Sequence, residues 1–148
     1  MDVSLNIELP RQRRAVAVLR HAVTSLCREI GVAEDDVQNL ALALSEACNN
    51  VVAHAHADDS FRVEFTLVNL TAKVVVANAA TPFSSAEFEQ GGHGDQWSES
   101  GRGLLIMRTL VDDARFSPSD DGGTLVELER QVSPEEGSLL ADAVPTAG

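Results

Sequence analysis

The sequence predicts an α+β fold: a two-layer sandwich in which helices cover one face of a mostly antiparallel mixed sheet. Three observations predict it. Apolar and polar residues alternate in a short run at the start of the chain, which marks a strand. Apolar residues then recur at three-and-four spacing over two long segments, which marks helices. The later strand-like runs come in adjacent pairs, which short turns join as antiparallel hairpins. At 148 residues and 44% hydrophobic composition, the chain suits one domain with a sizeable core.

"VSLNIEL", Val3 to Leu9, alternates like a half-buried strand and ends at Pro10. From Arg11 to Ile30, apolar residues fall at Ala15, Val18, Leu19, Ala22, Val23, Leu26, Cys27 and Ile30, a helical stripe closed by Gly31. "AEDD" then sets acids where a helix macrodipole favours them. Val37, Leu40, Leu44, Cys48, Val51 and Ala55 carry the stripe of a second helix, with Glu46 and Asn50 roughly opposite. Phe61 to Asn69 and Lys73 to Ala79 read as a hairpin rich in Val and Phe. Thr81 to Ser100 has no durable periodicity and reads as a long functional loop, with Gly91, Gly92 and Gly94 supplying flexibility. "GRGLLIMRTLVDD" becomes a short helix, and "ARFSP" with "GGTLVELERQV" closes the sheet. Residues 1–132 are therefore expected to form the domain, and 133–148, with Pro134, Pro145 and many small residues, a disordered tail.

Charge narrows the function. Eleven Lys and Arg against 23 Asp and Glu give a net charge of -12, which repels a phosphate backbone and argues against direct nucleic-acid binding or docking on an anionic membrane. A protein partner or a small ligand is expected instead. Cys27 and Cys48 fall at apolar helix positions and make no disulfide framework, and no signal-like or membrane-spanning run is present, so the expected location is cytoplasmic. Arg11, Arg13 and Arg14 read as a solvated helix start, with contact to an acidic partner as the alternative. "HAHADD" lacks the ligand spacing of a zinc site.

Glu46 and Asn50 are four residues apart, about 40° around a helix, so they can address one object together. "SEACNN" in a helix, a hairpin, a loop ending in "SGRGLLIM" and then "GGTLVEL" resemble, in that order, the ATPase superfamily of gyrase, a heat-shock chaperone, histidine kinases and MutL. The small size and the wording around "SEACNN" are similar to the bacterial anti-sigma factor serine kinases, over roughly Val3 to Val132. That resemblance implies the Bergerat-type ATP-binding fold, with ATP and Mg²⁺ as cofactors. It implies Glu46 as the general base for an attacking hydroxyl and Asn50 as the Mg²⁺ ligand, with Ala43 and Ala47 keeping that helix face shallow enough for a ligand. It makes Gly101, Arg102 and Gly103 a phosphate-binding helix start and sets Thr124 near the adenine. Implied partners are a sigma factor and an anti-anti-sigma antagonist, with homodimerisation.

One stretch departs from the pattern. Where the family carries Asp-x-Gly-x-Gly, this chain has "NAATP", Asn78 to Pro82. Asn78 can still accept a hydrogen bond from adenine, at a loss of about 1 kcal/mol, but Ala80 and Pro82 cannot copy a glycine backbone. Two functions therefore compete: an ATP-dependent kinase that sequesters a sigma factor, and a non-catalytic anti-sigma or regulatory module with a degenerate nucleotide pocket. A third, the detached ATP-binding domain of a histidine kinase, lacks a helical hairpin with a phosphoacceptor histidine.

Overall fold

The computed structural model describes residues 1–54, 60–78, 101–118 and 124–144. Their order is β1 (Asp2–Pro10), α1 (Arg13–Ile30), α2 (Glu34–His54), β2 (Ser60–Val68), β3 (Thr71–Asn78), α3 (Gly101–Leu110), β4 (Asp113–Pro118), β5 (Thr124–Gln131) and α4 (Leu139–Ala143). The strands form one sheet in the order β1-β2-β3-β5-β4. Every described pairing is antiparallel, so the sheet is simpler than the mixed one expected. Its inner face presents Phe61, Phe65, Leu67, Val74, Val76 and Leu128 to the helices, each no more than 1% exposed.

Helix α1 buries the stripe read from its spacing, Leu19, Val23, Cys27 and Ile30; Val18 is the exception at 57% exposed. Gly31 ends it with φ 101°, and the Gly31 and Val32 amides donate back to the Arg28 and Cys27 carbonyls, satisfying groups the helix end leaves open. The chain reverses there, and α2 returns antiparallel beside α1. Arg28 bonds Glu34 at one end of the pair, Arg20 reaches Ser45 in the middle, and Arg11 donates to the Val52 carbonyl at the other end. Helix α2 is the hub of the molecule, packing on α1, α3, β3 and β5. Burial pushes the Cys27 thiol up to about 12 against a smaller opposing pull from Arg28, and it raises Cys48 as well; both sulfurs serve as small apolar groups.

The expected disordered tail is corrected by the structure through Val144. Ser133 O accepts from the Ala33 amide at 2.8 Å, Glu135 N donates to Gly31 O at 2.6 Å, and Pro134 bridges Val32. Ser138 caps α4, and Leu140 is 1% exposed. The cause is a contact far along the chain: Gly31 has no Cβ, and one placed there would collide with Ser138. Composition and the prolines conceal such a partner.

Register puts one set of chain ends together. Pro10 pairs with Ser60, Phe61 with Asn78, and Pro118 with Thr124, while Ala77 pairs with Leu125. The end of β1, the start of β2, the end of β3, the end of β4 and the start of β5 therefore share one edge of the sheet. The start of α1 and the end of α2 lie there too. At the opposite edge, Asp36 in the first turn of α2 accepts from Arg130 through Nε at 3.0 Å and Nη2 at 2.8 Å. Arg130 also donates to the Leu110 carbonyl at the end of α3.

Leu140→Ala is expected to lower unfolding free energy by about 2–4 kcal/mol in a urea titration, because it empties a fully buried position. A change below about 0.5 kcal/mol, the usual range for surface substitutions, would return the segment to a loose tail.

Candidate functional site

The site is built on α2 where it reaches the shared edge. A 21-residue helix is long enough to start at the Asp36 anchor and reach the shared edge while Leu44, Ala47, Cys48 and Val51 of its C-terminal half stay in the core. Its acids in the first turn, Glu34, Asp35 and Asp36, complement the helix dipole, and this leaves the last two turns for function. Glu46 is half-buried and takes part in none of the ion pairs among the described residues. Asn50, one turn on, is 7% exposed, and its Nδ2 has no hydrogen-bond partner.

An orphaned amide in a buried place costs about 1–3 kcal/mol. Asn50 carries that cost at the wall of a cleft of about 620 Å³, lined among the described residues by Arg13, Asn49, Asn50, Val52 and Ala53. The volume falls in the range of small-molecule sites. Amide oxygen and nitrogen exchange places by a flip of the side chain, so Asn50 can offer the cleft an oxygen ligand or an N–H donor. One amide oxygen fits a Mg²⁺ ion that keeps several waters and takes its other ligands from phosphates. Among the described residues, no group of three or more His, Cys, Asp and Glu forms a metal cage.

Two of the remaining expected positions, Asn78 and Thr124, meet at the same edge as backbone. Asn78 ends β3 and Thr124 begins β5, each one residue beyond the paired Ala77 and Leu125, so they neighbour each other on adjacent strands. Gly101, Arg102 and Gly103 form the first turn of α3, whose other end receives the Arg130 contact at the Leu110 carbonyl. The segment 79–100, with Ala80, Pro82, the expected lid glycines, His93 and Trp97, lies outside the described residues, as do His56, Asp58 and Asp59. One reading needs revision. Ala43 and Ala47 are 0% exposed and belong to the main core, so they do not floor an open cleft; the small side chains serve close packing around the hub helix. Arg13 is exposed, as a solvated helix start should be, and it also lines the cleft. The sequence signal was available: α1 has no acid in its first turn and Gln12 supplies no side-chain cap, while arginines occupy the end of the helix that disfavours cations.

A hub helix over an antiparallel sheet carries a buried amide at a cleft and, one turn before it, a half-buried carboxylate that is not among the cleft's described lining residues. Residues 9–130 match the histidine kinase-like ATPase domain, and the chain belongs to that family. It is 28% identical over 141 residues to the serine-protein kinase RsbW of Bacillus subtilis, covering 88% of this chain and 87% of that one. RsbW of Bacillus licheniformis is 29% identical over 142 residues, with the same coverage. The fold also matches a crystal structure of the RsbU and RsbW domains of a Mycobacterium tuberculosis protein with TM-score 0.67 and 23% identity, over 90% of this chain and 34% of that one. The SiaB–SiaC complex of Pseudomonas aeruginosa gives TM-score 0.62 at 13% identity, over 84% of this chain and 88% of that one. Among the described residues, no helix is long and apolar enough to cross a membrane.

Asn50→Ala is expected to leave the ligand-free protein as stable as the parent or up to about 1 kcal/mol more stable, because it removes an orphaned donor and improves helix propensity. Urea unfolding without ligand checks it. A loss above about 1 kcal/mol would mean that the amide already has its partners within the protein.

Proposed function

We propose that the protein is an ATP-dependent serine kinase and anti-sigma factor. In this reading it binds ATP with Mg²⁺, holds a sigma factor inactive, and phosphorylates a serine of the antagonist protein that would otherwise release it. The observation that carries the reading is Asn50, a buried amide without a partner at the wall of a nucleotide-sized cleft, one helical turn from the half-buried carboxylate of Glu46. Membership of the ATPase family supports ATP as the cofactor, and the relatives named serine-protein kinase support the type of transfer. The sigma factor, the antagonist and homodimerisation follow from the resemblance of "SEACNN" and its companion stretches to the anti-sigma kinases, and a cytoplasmic location from the two apolar-position cysteines and the lack of a signal-like run.

When bound, ATP supplies the transferable phosphoryl group and Mg²⁺ neutralises its charge. The chain's own residues do the rest. Glu46 orients the acceptor serine hydroxyl and takes its proton, a task suited to a carboxylate that no basic side chain engages among the described residues. Asn50 offers its amide oxygen to the metal. The first turn of α3, opened by Gly101 and Gly103, presents backbone N–H groups and the positive helix end to phosphate oxygens, with Arg102 between the glycines. Asn78 and Thr124, neighbours at the strand ends, hold the adenine.

The second reading keeps sigma-factor binding without catalysis. Its support is "NAATP": Asn78 stands where an aspartate is expected, and Ala80 and Pro82 stand at glycine positions. Mg²⁺ with ATP is expected to raise the melting temperature, since a ligand of the native state stabilises by mass action. No shift and no titration heat at millimolar ATP would favour the second reading. Glu46→Gln is expected to keep ATP affinity while antagonist phosphorylation falls by about 10² or more, whereas Asn50→Ala loses Mg²⁺-dependent nucleotide affinity as well. Unchanged turnover in Glu46→Gln would remove Glu46 as the base.

A further inference from the structure

Helix α1 begins in a way that local helix physics disfavours. Arg13 and Arg14 occupy its first turn and Arg11 precedes it; no acid is present there, and Gln12 gives no side-chain cap. Cations at the positive end of a helix each cost about 0.3–1 kcal/mol. Two of the three have visible occupations: Arg11 donates to the Val52 carbonyl at 3.4 Å, and Arg14 to Gln12 Oε1 at 3.5 Å. Arg13 takes part in none of the ion pairs among the described residues and lines the cleft, across from Asn49 and Asn50 on α2.

A second, independent feature points to the same ligand chemistry. Asn50 is 7% exposed and its Nδ2 has no partner. An exposed cation on one helix and an unsatisfied buried amide on the next therefore line one cavity, and none of its described lining residues is acidic. In a chain of net charge -12, a carboxylate partner for Arg13 was easy to supply, and none stands among the described residues of that wall. This is a violation of local rules at one place, of the kind that binding sites accumulate.

We propose that Arg13 is a binding residue for the phosphate chain of the nucleotide. Its guanidinium donates to non-bridging phosphate oxygens and favours a triphosphate over an uncharged nucleoside. The proposal rests on the nucleotide reading of the cleft given above and adds to it a residue from α1, outside the helix and glycine stretches that carry the resemblance. Arg13 forms no bond and moves no proton in the reaction; it contributes charge and planar hydrogen-bond geometry.

The test is calorimetric titration of the full chain and of Arg13→Ala and Arg13→Lys with Mg²⁺-ATP, adenosine and inorganic tripolyphosphate, beside melting curves without ligand. Arg13→Ala is expected to weaken ATP and tripolyphosphate binding about tenfold and to leave adenosine binding unchanged. Arg13→Lys should recover part of the loss, because the charge returns without the fork. The melting temperature of ligand-free Arg13→Ala should be unchanged or higher, since a cation has left the positive helix end; a structural role predicts the opposite sign. ATP binding by Arg13→Ala as tight as the parent's overturns the proposal, and so does an equal loss for ATP and adenosine accompanied by a lower melting temperature. A parent that binds tripolyphosphate through Arg13 but not ATP keeps the proposal and removes the nucleotide reading. A parent that binds neither removes both.

Discussion

The ion pair between Asp36 and Arg130 fixes the frame in which everything else sits. It joins three elements far apart in sequence: the first turn of α2, the end of β5 and, through the second contact of Arg130 with the Leu110 carbonyl, the end of α3. The other Asp36 oxygen accepts from the Ser133 amide at 2.8 Å, so the segment leading to α4 is tied to the same carboxylate. The side chains are 19% and 11% exposed, and two charges so far out of water are tolerated because each finds several partners. Removing either partner would strand the other, at a cost of about 3–5 kcal/mol. Hydrophobic burial supplies the bulk of the stability, but it has no direction. The ion pair adds direction, setting which ends of α2 and α3 lie together.

From that anchor, α2 runs 14 residues to Asn50, roughly 21 Å of helix. A rigid rod held at one end and packed along its length delivers a side chain to a fixed place without local stabilisation there. This is why the far end can carry unfavourable features: an orphaned amide, a carboxylate without an ion-pair partner among the described residues, an uncapped α1 start rich in arginine, and glycines in the first turn of α3. The satisfied polar groups, the helix reversal at Gly31 and the docked α4 gather at the anchored edge. Stability and function are thus separated along the length of the helices, and a ligand at the cleft would satisfy groups that folding alone leaves open.

What was legible in the sequence follows from the range of the physics involved. The α1 stripe, the reversal at Gly31 and the β2-β3 hairpin depend on neighbours within a few residues, and the spacing of Leu19, Val23 and Cys27 or the alternation of Val63, Phe65 and Leu67 displays them directly. Glu46 and Asn50 were legible as a pair because one helical turn separates them. The docking of residues 133–144 was not legible, because it depends on a missing Cβ at Gly31, 107 positions before Ser138, and because a five-residue helix has no periodicity to display. Arg13 was legible only as an oddity. Its neighbour Asn50 is brought to it by the antiparallel return of α2, which no local pattern encodes. Ala43 and Ala47 misled for the same reason: a small residue on a polar face can floor a cleft or admit a close neighbour, and tertiary packing decides between them.

Under the proposed nucleotide reading, the same geometry divides recognition into two parts with different tolerance for change. At the strand ends Asn78 and Thr124 are backbone neighbours, and the resemblance assigns them neutral hydrogen bonds to a flat ring. Helix ends present charge and dipole suited to phosphates. Exchanging an aspartate for Asn78 alters one hydrogen bond at the ring end and leaves the helix ends untouched, whereas the overall charge of -12 works against any anionic ligand everywhere else on the surface. At physiological salt that repulsion is screened beyond about 8 Å, so the outcome is decided by the charges within one Debye length of the cleft. In that reading Arg13 and the opening turn of α3 supply the local positive charge, and they belong to two helices that both pack on α2. The weaker ring contact and the local cations therefore belong to one balance: the more affinity the strand ends give up, the more the helix ends must provide.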